Sequence, residues 1–252
     1  MSQKDLNRKL DLLFGGLGIK KNDKIIIHSN IAGIIQYYNK NQETVSKLFI
    51  SYLEKYLGKE GVIVIPTYNY QFTKKKSFDV KKSNSEIGSF SNYLLKKKWK
   101  KRTLDPVFSH LIFGKIDNFN LKKINTEAFG KDSLFSYFQK NNFKILCFCC
   151  SPDRITFFHF IEYIFNVPYR FVKKFKGNFI HKSSNKKITY KYNVGKKNLD
   201  CSIKEKKIFK FINNKEFKSQ SFGKFECYLF ESNNLIDKLQ KILKKNKYYL
   251  IQ

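Results

Sequence analysis

Arg102-Thr103-Leu104-Asp105-Pro106-Val107-Phe108-Ser109-His110 brings a guanidinium, a carboxylate, a hydroxyl and an imidazole into nine consecutive residues. Groups of these types bind charged substrates and move protons when the backbone holds them still. Pro106 disfavours the α region at Asp105, so that carboxylate is expected on an extended segment entering a strand. If Phe108 to Phe113 is that strand, Ser109 and His110 point to opposite faces and only one of them can face a substrate. A second candidate pair, His159 and Glu162, is spaced three apart in a helical pattern and so shares one face. The pair either holds and deprotonates an amine or solvates the end of its helix.

The elements that must position these groups follow from periodicity. Asp5 to Phe14 has helical spacing and stops at Gly15-Gly16, and Lys24 to His28 is a β-branched run suited to a strand buried on both faces. Thr44 to Leu57 is helical and closes at Gly58; Gly61 to Ile65 is a second buried strand ending at Pro66. Strand, helix, strand predicts a parallel crossover. Helices are expected around Glu86 to Lys97, Ser133 to Gln139 and Ile155 to Phe165, with strands at Phe108 to Phe113 and Lys144 to Cys150. Beyond Pro168 the pattern suits strands or a hairpin, then a helix at Ile203 to Phe211, a strand at Glu226 to Phe230 and a helix at Asn234 to Leu243. This order predicts an α/β fold, a three-layer sandwich around a mostly parallel central sheet. One domain over 1–252 is expected, with a β-rich C-terminal hairpin insertion at about 170–200.

In an open parallel sheet, ligands bind beyond the carboxyl ends of the strands. That rule gives weight to His28-Ser29-Asn30, Thr67-Tyr68 and Ser151-Pro152-Asp153-Arg154, each of which follows an expected strand. Ser29 also suits the cap of a following helix, Thr67 and Tyr68 also suit packing, and His181 is expected to be exposed.

Fifty Lys and Arg against 20 Asp and Glu give a formal charge of +30, which attracts phosphates. The lysines run through the whole chain, and no helix-turn-helix, zinc-finger or RNA-binding aromatic motif argues for nucleic acid. No apolar run approaches the roughly 18 to 20 residues of a membrane span, and the N-terminus lacks a signal-peptide core, so a cytoplasmic, soluble protein is expected. Five cysteines in unpaired spacing argue against disulfides, and Cys147-Phe148-Cys149-Cys150 reads as a buried strand and not as a metal site. No metal is expected, and a homodimer is left open as the assembly.

Taken in order, several segments resemble the aminoglycoside 3-N-acetyltransferase family, the antibiotic acetyltransferases unrelated to the GNAT fold. The matching pieces are Leu17-Gly18-Ile19, Ile25-Ile26-Ile27-His28-Ser29, Glu60-Gly61 through Pro66-Thr67-Tyr68, and Ser85-Glu86-Ile87-Gly88. They continue with Phe129-Gly130-Lys131-Asp132-Ser133-Leu134-Phe135 and Thr156-Phe157-Phe158-His159-Phe160-Ile161-Glu162. The family signature Arg-Ser-x-His-Pro-x-x-Ser corresponds to Arg102 through Ser109, with Asp105 where the family has its histidine.

The resemblance implies transfer of an acetyl group from acetyl-CoA to an amine, usually on an amino sugar. With the reading of the residues it makes Asp105, His159, Glu162 and His28 the catalytic candidates and His28, Ser29, Asn30, Thr67, Tyr68 and Ser109 the cofactor-binding ones, the family placing His28 and Ser29 along the CoA pantetheine channel. The family takes the histidine before proline as base, so Asp105 is expected to bind the substrate ammonium and act with His159 or His28, or else to tie down its own loop. A nucleotide-linked amino sugar on the way to a surface polysaccharide suits the basic charge, and an aminoglycoside is the alternative acceptor. Two other readings are a catalytically inactive basic binding protein and a thiol hydrolase using Cys149 or Cys150.

Overall fold

The computed structural model describes residues 2–212 and 217–252. Helix α1 (Gln3–Leu17) opens with a capping box between Ser2 and Asp5 and ends where Gly18 takes the left-handed conformation at φ 72°. It therefore runs through Gly15-Gly16 instead of stopping there. Strand β1 (Lys24–Ser29) leads through α2 (Ala32–Tyr38) and α3 (Gln42–Leu57) to β2 (Val62–Pro66). The Asn41 side chain caps α3, and Gly58 ends it at φ 74°. A two-residue strand β3 (Phe78–Asp79), helix α4 (Ser89–Lys98) and strand β4 (His110–Phe113) follow. Next come α5 (Leu134–Lys140), β5 (Lys144–Phe148) and α6 (Phe157–Ile164). The paired strands β6 (Arg170–His181) and β7 (Ser184–Gly195) precede α7 (Glu205–Ile212), β8 (Lys218–Phe222), β9 (Phe225–Glu231) and α8 (Ser232–Lys245).

The main sheet has six strands in the order β4-β2-β1-β5-β9-β8. Only the neighbours β2–β1 and β1–β5 pair parallel; β4 pairs antiparallel with β2, β9 with β5, and β8 with β9. The sheet is thus mixed, which corrects the expectation of a mostly parallel one. The reason is local. The Asp105 segment delivers β4 to the sheet edge running against β2, and the turn at Gly223-Lys224 folds β8 back on β9 with Phe222 opposite Phe225. A second sheet, β3-β6-β7, carries the long hairpin.

Both faces of the main sheet are covered. Ile25, Ile27, Ile63, Ile65 and Phe148 pack on one side with Leu10, Phe14, Phe49 and Leu53 of α1 and α3. Ile26, Val62, Val64 and Ile145 pack on the other with residues of α5, α6, α8 and the hairpin. Because successive side chains of a strand alternate, the unbroken isoleucine run of β1 feeds both layers. Phe49 is fully buried between Phe90 and Phe148, with ring centroids 5.5 and 4.7 Å away. Phe49→Ala is expected to lower the unfolding free energy by roughly 3–5 kcal/mol through the cavity it leaves, read as a shift in the urea midpoint.

Candidate active site

Glu162 lies on the inner face of α6 with no exposed surface. His159 Nδ1 is 2.6 Å from its Oε2, the Tyr169 hydroxyl donates to Oε1 at 2.8 Å, and Arg170 Nε forms an ion pair with Oε2 at 2.6 Å. Burial works to raise the carboxyl, yet His159, Arg170 and Tyr169 together hold it below the usual glutamate value. An ionised carboxylate can only accept, so Nδ1 of His159 donates, and in the neutral imidazole that leaves the lone pair on Nε2. His159 is half-buried, its side chain 27% exposed. A base fixed in one tautomer by a buried acid is what deprotonation of an amine needs.

The Asp105 loop is organised differently. Asp105 is 5% exposed, and its Oδ1 accepts from the backbone N–H groups of Val107 at 2.8 Å and Phe108 at 2.6 Å. Asn125 Nδ2 donates to Oδ2 at 2.6 Å, and the Tyr190 hydroxyl from β7 reaches Oδ1 at 3.0 Å. Burial raises the Asp105 carboxyl above its usual value, with these hydrogen bonds opposing it. None of its hydrogen bonds among the described residues is to a histidine. Beside it, Arg102 is 4% exposed and donates to Ser109 Oγ, to the carbonyls of Val80 and Ser83, and to the carbonyl of Thr67. Desolvation pulls its guanidinium down to about 10. Thr67 and Ser109 are fully buried in this cluster, with Thr67 Oγ1 bound to the Ser109 carbonyl at 3.0 Å. They secure the exit of β2 against the Asp105 loop, with no surface left for a cofactor.

On the opposite side of β2 and β4, the Tyr68 hydroxyl meets His110 Nε2 at 3.1 Å, and Thr156, at the start of α6, interacts with the same hydroxyl. Tyr68 is 1% exposed and His110 fully buried. Burial lowers His110 to about 3, with the neighbouring His28 adding to the effect, and burial alone lowers His28 to about 4. Both imidazoles are neutral in the folded chain. At the end of β1, His28 is 9% exposed, Ser29 is half-buried and Asn30 is exposed. Asn30, and not Ser29, serves the start of α2: its Oδ1 accepts from the N–H of Ala32 at 3.1 Å.

The structure therefore brings His159 and Glu162 together and places His28, Tyr68 and His110 in a neighbouring buried group, while Asp105, Thr67 and Ser109 form a third. Sequence reasoning missed Tyr169 and Arg170, which complete the Glu162 cluster, and Asn125 and Tyr190, which complete that of Asp105. Glu162 alone held a clue, since a buried acid requires a partner, but no spacing rule points to residues on another element. A cavity of about 450 Å³ opens against the Asp105 loop, with Asn125 and Glu127 in its wall. Glu127 also receives a hydrogen bond from Tyr163 of α6 at 3.2 Å, one helical turn beyond His159.

A half-buried imidazole thus stands against a buried acid on a helix of an α/β fold with a six-stranded mixed sheet and a three-stranded second sheet. Residues 26–244 match the family model of the aminoglycoside 3-N-acetyltransferases, and the chain belongs to that family of acetyl-CoA-dependent N-acetyltransferases. Solved structures of similar fold include the YokD protein from Bacillus subtilis, at 18% identity and TM-score 0.76, covering 95% of this chain and 93% of that one. The acetyltransferase AAC-IIIb in its binary complex with CoASH is 12% identical, with TM-score 0.75 and 97% of each chain covered. AAC-VIa with bound sisomicin is 15% identical, with TM-score 0.75, over 97% of this chain and 98% of that one. No curated protein sequence matches the chain.

Two outcomes test this geometry. The folded chain keeps His28 and His110 neutral down to about 4 and about 3, whereas unfolded histidines protonate at 6.5. The unfolded chain therefore takes up protons first as the pH falls, and stability is full above about 6.5 and declines below it. His28→Asn should flatten this decline by about 3 kcal/mol in urea titrations between pH 7 and 4. Separately, Asp105→Asn replaces one acceptor oxygen with an amide N–H donor that faces other donors, and should cost roughly 1–3 kcal/mol of stability, measured by the same titration at neutral pH.

Proposed function

We propose that the protein transfers the acetyl group of acetyl-CoA to an amine of an amino sugar, with His159 as general base and Glu162 as the residue that orients it. The observation that carries this reading is the 2.6 Å contact between His159 Nδ1 and the fully buried Glu162 carboxylate. The amine nitrogen loses a proton to His159 Nε2 and attacks the thioester carbonyl. A C–N bond forms, the C–S bond breaks, and the proton passes to the departing CoA thiolate. Tyr169 and Arg170 keep Glu162 ionised, so the imidazole stays in the required tautomer through the cycle. His28, Ser29 and Asn30, at the end of β1, are the residues proposed to line the CoA site, a reading supported by the CoASH bound to a relative of similar fold. Asp105 is a positioning residue: it holds the loop, Asn125 and the hairpin in place.

For the acceptor, relatives bound to sisomicin, apramycin and a gentamicin support an aminoglycoside. The formal charge of +30 supports an amino sugar carrying phosphate, such as a nucleotide-linked one, because a polycation would approach against the field of the whole protein. Release of free CoA thiol from acetyl-CoA, measured across a panel of both acceptor classes, decides between them; no reaction with any member would refute the assignment. With the best acceptor, His159→Ala is expected to lower kcat by about 100- to 10,000-fold with little change in KM. Glu162→Gln should follow it in direction, and Asp105→Asn should retain most of the rate in the folded fraction.

A further inference from the structure

Between Glu162 and Asp200 the chain carries no acidic residue, while Arg170 to Lys197 alone holds nine lysines. This stretch is the β6–β7 hairpin and its flanks. The register places Lys174 opposite Lys191, Lys176 opposite Thr189 and Lys187 opposite Asn178. Partners across a pair share a face, so Lys174, Lys176, Lys187 and Lys191 all stand on the same side. The other side packs inward through Tyr190 and Phe179, which meet Phe72 and Phe78. The lysine face is exposed from Val172 to Asn178 on β6 and from Asn185 to Lys191 on β7. Lys191 lies 4.0 Å from Glu127, and Lys174, Lys176 and Lys187 have no acidic partner among the described residues. Like charges set side by side on a two-stranded ribbon repel one another, and an anionic surface removes that repulsion.

The same region carries apolar groups that water does not favour. Three of the six exposed large hydrophobic side chains among the described residues are here: Phe171 at 46%, Val172 at 47% and Leu199 at 42%. Val172 shares the face of Lys174 and Lys176, Phe171 stands on the opposite face, and Leu199 lies in the loop that Lys196 ties back to Tyr169 at the hairpin base. Exposed aliphatic groups beside lysines suit a lipid–water boundary, where the apolar group enters the acyl region and the ammonium meets headgroup phosphate. Nucleic acid would call for rings to stack on or for arginine forks. The lysine face has no aromatic residue, and the hairpin's one arginine, Arg170, is committed to Glu162.

We propose that the outer face of the β6–β7 hairpin docks the enzyme on an anionic lipid surface. Docking sets the active site close to that surface, since the residue that opens β6, Arg170, also holds Glu162.

Co-sedimentation with vesicles of phosphatidylglycerol and phosphatidylcholine, compared with phosphatidylcholine alone, tests this without acetyl-CoA or acceptor, so its outcome is separate from that of the proposed reaction. Binding is expected only to the anionic vesicles and should weaken with salt. The variant Lys174→Glu/Lys176→Glu/Lys187→Glu should bind on the order of a hundredfold more weakly. Val172→Ser should weaken binding by about tenfold at unchanged salt dependence. Reversing three lysines elsewhere, Lys96→Glu/Lys97→Glu/Lys98→Glu on α4, should cost much less. Unchanged thermal unfolding shows that each variant is folded; if the triple variant is not, the glutamine versions of the same three lysines take its place. Equal losses for the two triple variants, equal binding to neutral vesicles, or tight binding of single-stranded RNA without vesicle binding would overturn the proposal.

Discussion

A carboxylate with no contact with water stays ionised only if the protein gathers donors around it, and Glu162 imposes that demand on this molecule. It is met by one residue from its own helix and two from the start of the hairpin. The same contacts that solvate the acid orient the imidazole, so stability and chemistry are served by one cluster. They also fix where the hairpin leaves the body of the protein. Removing either partner would leave a buried charge unpaired, at a cost larger than the pair itself contributes.

Arg102 and Asp105 obey the same rule with opposite outcomes. Arg102 is satisfied mostly by backbone carbonyls, which are fixed in the strand ends and loops it binds together. Asp105 is satisfied by two backbone amides, an amide side chain and a phenol, contributed by three separate stretches of chain. An imidazole has one acceptor and one donor when neutral, so it could not receive four donors in that place. The acid is suited to a clasp in a way a histidine at this position would not be, and the loop is held in place by that side-chain chemistry.

Much of the architecture was legible because burial on both faces leaves a plain mark: the isoleucine run of β1, the Val-Ile-Val-Ile of β2 and the glycine stop at Gly58 are local signals, whereas the first helix was expected to end at Gly15-Gly16 and ends at Gly18. Strand direction was not legible, since parallel and antiparallel neighbours bury the same residues. Strand β8 was missed because Lys218-Ser219-Gln220-Ser221 is polar and exposed; it forms by pairing with β9 and not by propensity. His159 and Glu162 were visible as a helical pair, but their partners lay beyond the reach of periodicity. Asp105 could be placed at a strand entrance from Pro106 alone, while its donors Asn125 and Tyr190 come from segments that only the fold brings near.

The position of β5 has a consequence for how the molecule is made. It lies between β1 and β9, with Lys144 beside Ile25 on one edge and beside Glu231 on the other. A chain emerging from its N-terminus can join β1, β2 and β5 early, but the second edge of β5 stays open while α6, the whole hairpin and α7 are being added. An open apolar strand edge is a template for pairing with another molecule. Assembly of this sheet is therefore set by the slow, long-range step that closes it, and the interval before β9 arrives is when the nascent protein is most exposed to aggregation.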